Sequence, residues 1–400
     1  MSFISFDESQ KIIDDISIEK KIVTIRLMDS IGFILASDII ANENSPSAPT
    51  SGMDGYAFAY SDMALGRLLI SGVNPAGGDN AQSIKAGECI KTFTGSLMPH
   101  GSDTLVPIEL VDVVDGHIIF KEQIPKGFSV RAIGENYKEG ELLIPKGTCI
   151  DFAQIGVLAS LNISSVSVYA KPRVGILATG SELLSLGEVQ TKQSQIRSSN
   201  NLVIEAIVAK YGGEPLQYGC TKDDKSIITH AIIKALRESD IVVTTGGVSV
   251  GDYDFVKDVV REIGFEVLFQ GVHIKPGQHI MLAQKENKFI LALPGFSYSS
   301  TVTALLYLLP LIGKFSGIKT SLKTVKAILK ESYAKKSNKD EFIACNISEN
   351  HGQYECDFGG KKQGTSAILT NILGSSALIH LSSSDTEKNI DNEVEILLFD

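Results

Sequence analysis

The stretch Ile241 to Phe255, IVVTTGGVSVGDYDF, constrains the fold more than any other. Apolar and β-branched residues run into a glycine pair, and Asp252 and Asp254 follow before the next helical pattern. A run of this kind suits a strand buried on both faces, as in a parallel sheet covered by helices. Glycines after such a strand bare backbone N–H groups at the carboxyl edge of the sheet, where they can hold a phosphate. Carboxylates beside them can hold a divalent cation that bridges to it. The stretch therefore predicts the floor of a site for a phosphorylated ligand.

The surrounding sequence has the matching grammar. Strand patterns at Arg173–Gly180, Glu214–Cys220, Phe265–Val272 and Phe289–Gly295 alternate with helical ones at Asn201–Tyr211, Ser226–Glu238, Phe255–Ile263 and Tyr298–Leu309. Such βαβα alternation predicts a doubly wound parallel sheet with its ligand site at the carboxyl ends of the strands. Lys171-Pro172 marks where this domain begins. Before it, Phe6 to about Ile40 reads as helical, Asn42–Gly52 as a loop, and Tyr56 to about Val130 as short strands punctuated by Gly and Pro. A helix over Asp151–Ile163 follows. After about Ser316, strand patterns at 323–332, 341–347, 354–358, 376–381 and 393–399 read as a small barrel or sandwich. Four hundred residues exceed one core, so several domains are expected.

Composition narrows the partners. A formal charge of −10 with no dense Lys/Arg run argues against nucleic acid. Five cysteines without a CxxC pair argue against a disulfide framework or structural zinc and for a reducing, cytoplasmic setting. The longest apolar stretch, Ala304 to Ile312, is short and carries Pro310, so it predicts a core helix end and no membrane span. The N-terminus lacks the basic and apolar regions of a secretion signal.

Four strand ends carry polar groups that a sheet would gather at one edge. The first brings Thr179, Gly180, Ser181 and Glu182, and the second Asp223 and Asp224. The third brings Gly246, Gly247, Val248, Ser249, Gly251 and Asp254, and the last Pro294 and Gly295 before a helix. Lys275 stands in a turn stiffened by Pro276 and opened by Gly277, where it can act as a point charge on a phosphate. Each of these motifs also has a purely structural reading. TKDD suits a helix N-cap, TGSEL a capping box, and the glycine pair a tight turn. Neither GxGxxG nor GxxxxGK[ST] occurs, so this is no standard dinucleotide or P-loop site. Farther upstream, Asp54 is set between Met53 and Gly55, as in a tight turn.

MDGYA, TGSLMP, ATGSEL, TTGGVSVGDYD, KPG, LPG and QGTSA, in this order and over nearly the whole chain, resemble the molybdopterin molybdenumtransferase family, which includes the gephyrin E domain. The resemblance implies a multidomain α/β plus β fold. It has a discontinuous helical or mixed linking domain (1–46 and 134–170), an inserted β-rich domain (47–133), a molybdopterin-binding α/β domain (171–316) and a C-terminal β-barrel (317–400). It implies a homodimeric transferase that takes adenylylated molybdopterin and molybdate, inserts the metal and releases AMP with Mg²⁺. A molybdopterin adenylyltransferase or an apo-molybdoenzyme is the implied partner. Glu182, Asp223 and Asp254 are the implied Mg²⁺ and catalytic acids, and Lys275 the implied neutralising charge. The glycine loop is the implied cradle, with Asp54 and Thr94 from the β-rich domain and Thr365 or Ser366 from the barrel.

The chain departs from that pattern at several turns. PGKP is here Pro276-Gly277-Gln278-His279, a family lysine falls on Gly271, LPGNP is Leu293-Pro294-Gly295-Phe296-Ser297, and GED is Gly134-Glu135-Asn136. Two lysines and one acid are thus absent. A tungstate-preferring paralogue, a non-catalytic pterin-binding scaffold and a Mg²⁺-dependent nucleotide hydrolase stand as the alternatives.

Overall fold

In the computed structural model, which describes residues 2–78, 82–248, 254–362, 365–374 and 376–399, the run at 241–245 is an inner strand of a six-stranded sheet. The chain forms two compact units, one of Met1–Ala36, Cys149–Asp151 and Ser165–Asp400, the other of Ser37–Thr148 and Phe152–Ser164.

The first unit opens with helix α1 (Phe6–Asp15), started by a capping box between Ser5 and Glu8. The expected helix does not continue to Ile40. Ile22, Val23, Thr24 and Ile25 form strand β1 (Ile22–Arg26), antiparallel to β2 (Ser165–Tyr169). Their isoleucine spacing fits a helix, but β-branched side chains lose χ1 freedom there and pack well on a pleated surface.

The large sheet then assembles from β3 (Arg173–Thr179), β4 (Glu214–Thr221), β5 (Ile241–Thr245), β6 (Glu266–Gln270), β8 (Met281–Lys285) and β9 (Lys288–Leu293), in the order β4-β3-β5-β9-β8-β6. The short strand β7 (Ile274–Lys275) lies outside it. Pairing is parallel from β4 to β9. The expectation of an all-parallel sheet is corrected at its far side, where β8 pairs antiparallel with both β9 and β6. Only Glu286 and Asn287 connect β8 to β9, and a parallel crossover needs a dozen residues or more.

Helices α2 (Asn200–Lys210), α5 (Ser297–Thr303) and α6 (Leu309–Ser316) contribute to the core on one face. Helices α3 (Lys225–Glu238) and α4 (Val256–Glu262) contribute to the core on the other. All five residues of β5 are buried, as a strand covered on both faces requires. Among the described residues no helix is long and apolar enough to cross a membrane.

Five strands, β10 (Lys323–Leu329), β11 (Asp340–Asn350), β12 (Gln353–Asp357), β13 (Ser376–Leu381) and β14 (Glu393–Leu398), close into a barrel, because β11 pairs with both β12 and β13. Strand β7 adds to it in parallel, with Ile274 opposite Asp340 and Lys275 opposite Glu341. Tyr298 on α5 reinforces the junction. Its buried hydroxyl donates to Phe342 O at 3.2 Å and accepts from Ala344 N at 2.9 Å, both in β11.

The second unit holds its own six-stranded sheet, with Gly55–Phe58 between Thr104–Pro107 and Glu88–Thr92. Tyr56, Phe58, Leu68 and Val106 form part of its core.

Tyr298→Phe should leave the Ala344 N–H buried without an acceptor. A loss of about 2 kcal/mol is expected, read as a lower unfolding midpoint. An unchanged midpoint would show that the hydroxyl does not secure the barrel.

Candidate functional site

Backbone and side-chain bonds lock the carboxyl ends of β3, β4, β5 and β9 to one another. Gly180 N donates to Thr221 O at 3.0 Å, and the Thr179 hydroxyl to Thr245 O at 3.3 Å. Ser181 N donates to Asp223 Oδ2 at 2.8 Å, and Asp223 N to Ser181 Oγ at 3.1 Å, so the two loops hold each other reciprocally. The neighbouring Asp224 does the structural task instead, capping α3 by accepting from Ile227 N. TGSEL is no capping box, since Leu183–Leu184 continues as a short strand.

The glycine pair is required by space as well as by dihedral angle. Gly246 and Gly247 have φ of +88° and +67°, and a Cβ would lie 2.6 Å from Thr179 O at the first and 2.8 Å from Val256 Cγ2 at the second. Gly246 N donates to Leu293 O, so its own N–H is spent within the sheet. The N–H groups of Gly247 and Val248 have no partner among the described residues and are left for an anion. Ser249 and Gly251 lie outside the described residues.

Around these ends is a cleft of about 650 Å³. Thr179, Gly180, Glu182, Asp223, Gly246, Gly247, Val248, Asp254, Pro294 and Gly295 line it, so most of the residues expected from the strand ends do meet. Arg197 and Asn200 line it too. Arg197 donates to Glu188 O and Asn200 to Gly295 O, each at a distance of 2.8–2.9 Å. The polar run QIRSSN before α2 is the available signal for them.

Lys275 lies elsewhere. With Pro276, Gly277, Thr365 and Ser366 it lines an adjoining cavity of about 370 Å³ against the barrel, which shares His279, Pro294 and Phe296 with the cleft. Its ammonium is 3.2 Å from Glu341 Oε1. Glu341 is 1% exposed and also accepts from Tyr333 Oη and Ser337 Oγ. Burial pushes its carboxyl up, but those three donors outweigh that and hold it below the usual range.

Lys339, Lys361 and Lys362 face the same cavity, giving four lysines to one carboxylate. Lys339 donates to the neutral Gln278 amide, and Lys361 to Leu373 O and Ser376 Oγ. The cavity therefore carries surplus positive charge. Nothing in the sequence around these barrel lysines marks them out.

In the second unit, Asp54 and Thr94 form a pair. Asp54 Oδ1 accepts from Thr94 N at 2.8 Å and from its hydroxyl at 2.7 Å. These bonds, the backbone one first, hold the exposed Asp54 carboxyl below its ordinary value.

Glu182, Asp223 and Asp254 are hard oxygen donors in one cleft, yet among the described residues no three His, Cys, Asp or Glu side chains converge on a point. That donor set fits Mg²⁺ held by one or two carboxylates with ligand phosphates and waters completing the shell. It is no closed protein cage.

Residues 4–162 match the model of the MoeA N-terminal region (domain I and II), and residues 175–314 that of a probable molybdopterin binding domain. A molybdopterin molybdenumtransferase of Haemophilus influenzae is 32% identical over 319 residues, covering 79% of this chain and 78% of that protein. One from Nostoc is 29% identical, covering 92% and 86%. The crystal structure of a molybdopterin biosynthesis MoeA protein from Pyrococcus horikoshii superposes over the full length of both chains, with a TM-score of 0.87 and 25% identity.

Thr94→Val should raise the Asp54 pKa towards the ordinary carboxylate value, measurable by carboxyl NMR. The depressed pKa supplies stability at higher pH that is lost as pH falls from the ordinary value through the folded one, and the variant, which keeps the backbone bond, should show a smaller acid-side loss. An unmoved pKa would show that the Thr94 hydroxyl adds nothing to the backbone N–H in holding the carboxylate.

Proposed function

The chain belongs to the molybdopterin molybdenumtransferase family, and from that membership we propose that it inserts molybdate into adenylylated molybdopterin and releases AMP with the help of Mg²⁺. It is a transferase of molybdenum cofactor biosynthesis. One observation carries the finer reading: two cavities of opposite chemistry adjoin at His279, Pro294 and Phe296. The cleft offers N–H groups and carboxylates, which suits a pyrophosphate with its cation. The barrel-side cavity offers ammonium groups and almost no acid, which suits a compact oxyanion.

In this reading Gly247 and Val248 N–H groups hold a phosphate oxygen, and one or two of the cleft carboxylates Glu182, Asp223 and Asp254 would hold Mg²⁺, with waters and the ligand completing its shell. Mg²⁺ so bound would stabilise the charge that grows on the departing AMP phosphate. Lys339 and Lys361 hold molybdate, replacing from the barrel the positive charge that Gly271 and Gln278 omit. The dithiolene sulfurs of the substrate bond to molybdenum and displace one oxide, which leaves as water with the thiol protons. The anhydride is cleaved by a water molecule, giving AMP and the phosphate of the pterin. No protein nucleophile is needed.

The test supplies adenylylated molybdopterin, Mg²⁺ and molybdate or tungstate, and follows AMP and metal-loaded cofactor together. AMP release should depend on molybdate. Lys339→Ala should raise the molybdate concentration for half-maximal rate by about tenfold or more. Asp254→Asn should lower turnover by about a hundredfold or more, the usual scale for a group that places transition-state charge. Tungstate-only activity would move the assignment to that oxyanion. Tight binding without AMP, or hydrolysis of ATP indifferent to oxyanion, would contradict the transferase reaction.

A further inference from the structure

The two cavities meet at His279, and the hydrogen bonds on one side of its ring decide which nitrogen carries the proton. Lys339 Nζ donates to Gln278 Oε1. An ammonium has donors only, so the amide oxygen faces Lys339 and the amide NH₂ faces away. That NH₂ is 3.0 Å from His279 Nε2. An amide NH₂ can only donate, which makes Nε2 the acceptor and places the proton of the neutral ring on Nδ1. Burial, then the charges of Lys257 and Lys339, lower the His279 pKa against the opposing pull of Asp254, which favours the neutral ring.

A second contact fixes the ring plane. Phe3 meets His279 edge-on, with centroids 5.6 Å apart and planes at 88°. The ring of Phe3 fits there because residue 271 is glycine, where a Cβ would come within 2.4 Å of it. Ile4 anchors the segment, donating to Gly271 O at 3.2 Å and accepting from His273 N at 2.8 Å. Gln278 lines only the cationic cavity, whereas His279 lines the phosphate cleft as well. Among the described residues Nδ1 has no hydrogen-bond partner.

We propose that His279 is a ligand-contacting residue of the cleft, whose Nδ1–H, preset by the Lys339–Gln278 relay, donates to an anionic phosphate oxygen of the bound nucleotide. The contact rests on the function proposed above and makes or breaks no covalent bond. It ties the two cavities together, since the ammonium that faces the oxyanion also orients the donor that faces the nucleotide.

Two measurements on the full chain test it. Long-range ¹H–¹⁵N spectra report the tautomer, with the His279 signals assigned by their loss in H279Q. Calorimetry reports AMP affinity in the presence of Mg²⁺. An Asn side chain can place an N–H near the Nδ1 position, and a Gln side chain near Nε2. The wild-type ring should be protonated on Nδ1, H279N should bind AMP within about threefold of wild type, and H279Q about tenfold more weakly. K339M should free the amide to turn, and the Nε2-protonated form should then appear. A wild-type ring protonated on Nε2, or AMP binding that ignores residue 279, overturns this contact alone. A ring protonated on Nδ1 in a chain that binds no AMP overturns the phosphate cleft and this contact with it.

Discussion

The parallel pairing of Ile274 and Lys275 with Asp340 and Glu341 is a short ladder, but the chemistry of the site depends on it. It fastens the turn that follows, Pro276 to His279, to the first residues of the barrel strand β11. The seam is sealed by apolar packing, since Tyr298, Phe342, Ala344 and Leu378 belong to the same core as the sheet. A barrel free to swing could not hold a lysine against a sheet-edge glutamine. Because the two share a core, Lys339 and Lys361 face the loop at fixed positions, and a cationic cavity forms next to a cleft that carries carboxylates.

That arrangement keeps opposite charges apart. The one acid in the cationic cavity, Glu341, is already satisfied by Lys275, Tyr333 and Ser337, so it does not neutralise the other ammonium groups. In the cleft, Asp223 spends one oxygen on Ser181. Glu341 thus cancels one ammonium charge and leaves its cavity net positive, whereas the neutral Ser181 donor orients Asp223 and leaves its negative charge in place. The absence of lysines at Gly271 and Gln278 has a structural counterpart. Phe3 occupies the space at the first position, and Lys339 reaches the second from the barrel.

Much of this is legible in the amino-acid sequence. Three of the four parallel strands, β3, β5 and β9, announce themselves as buried apolar runs, and the strand ends carry Thr179, Glu182, Asp223 and the glycine pair, which the sheet gathers by topology alone. Strand β8 is not legible, because its turn, Glu286-Asn287, lacks the glycine that marks a tight hairpin. Ile22 to Arg26 reads as helix because isoleucine spacing satisfies both patterns. The barrel lysines are hidden for a different reason. Lys339 and Gln278 are 61 residues apart and meet only when the barrel closes on the sheet, a contact no local pattern encodes. The Gln278-His279 departure is visible in the sequence, but its partner is not.

The central claim is a division of labour, with oxyanion in the cationic cavity and phosphate in the glycine-lined cleft. Anomalous diffraction at the tungsten edge, from crystals soaked with tungstate and AMP, tests it most directly. A tungsten peak is predicted beside Lys339 and Lys361, with the AMP phosphate at Gly247 and Val248. A tungsten peak at the glycine loop with the barrel-side cavity empty would contradict it.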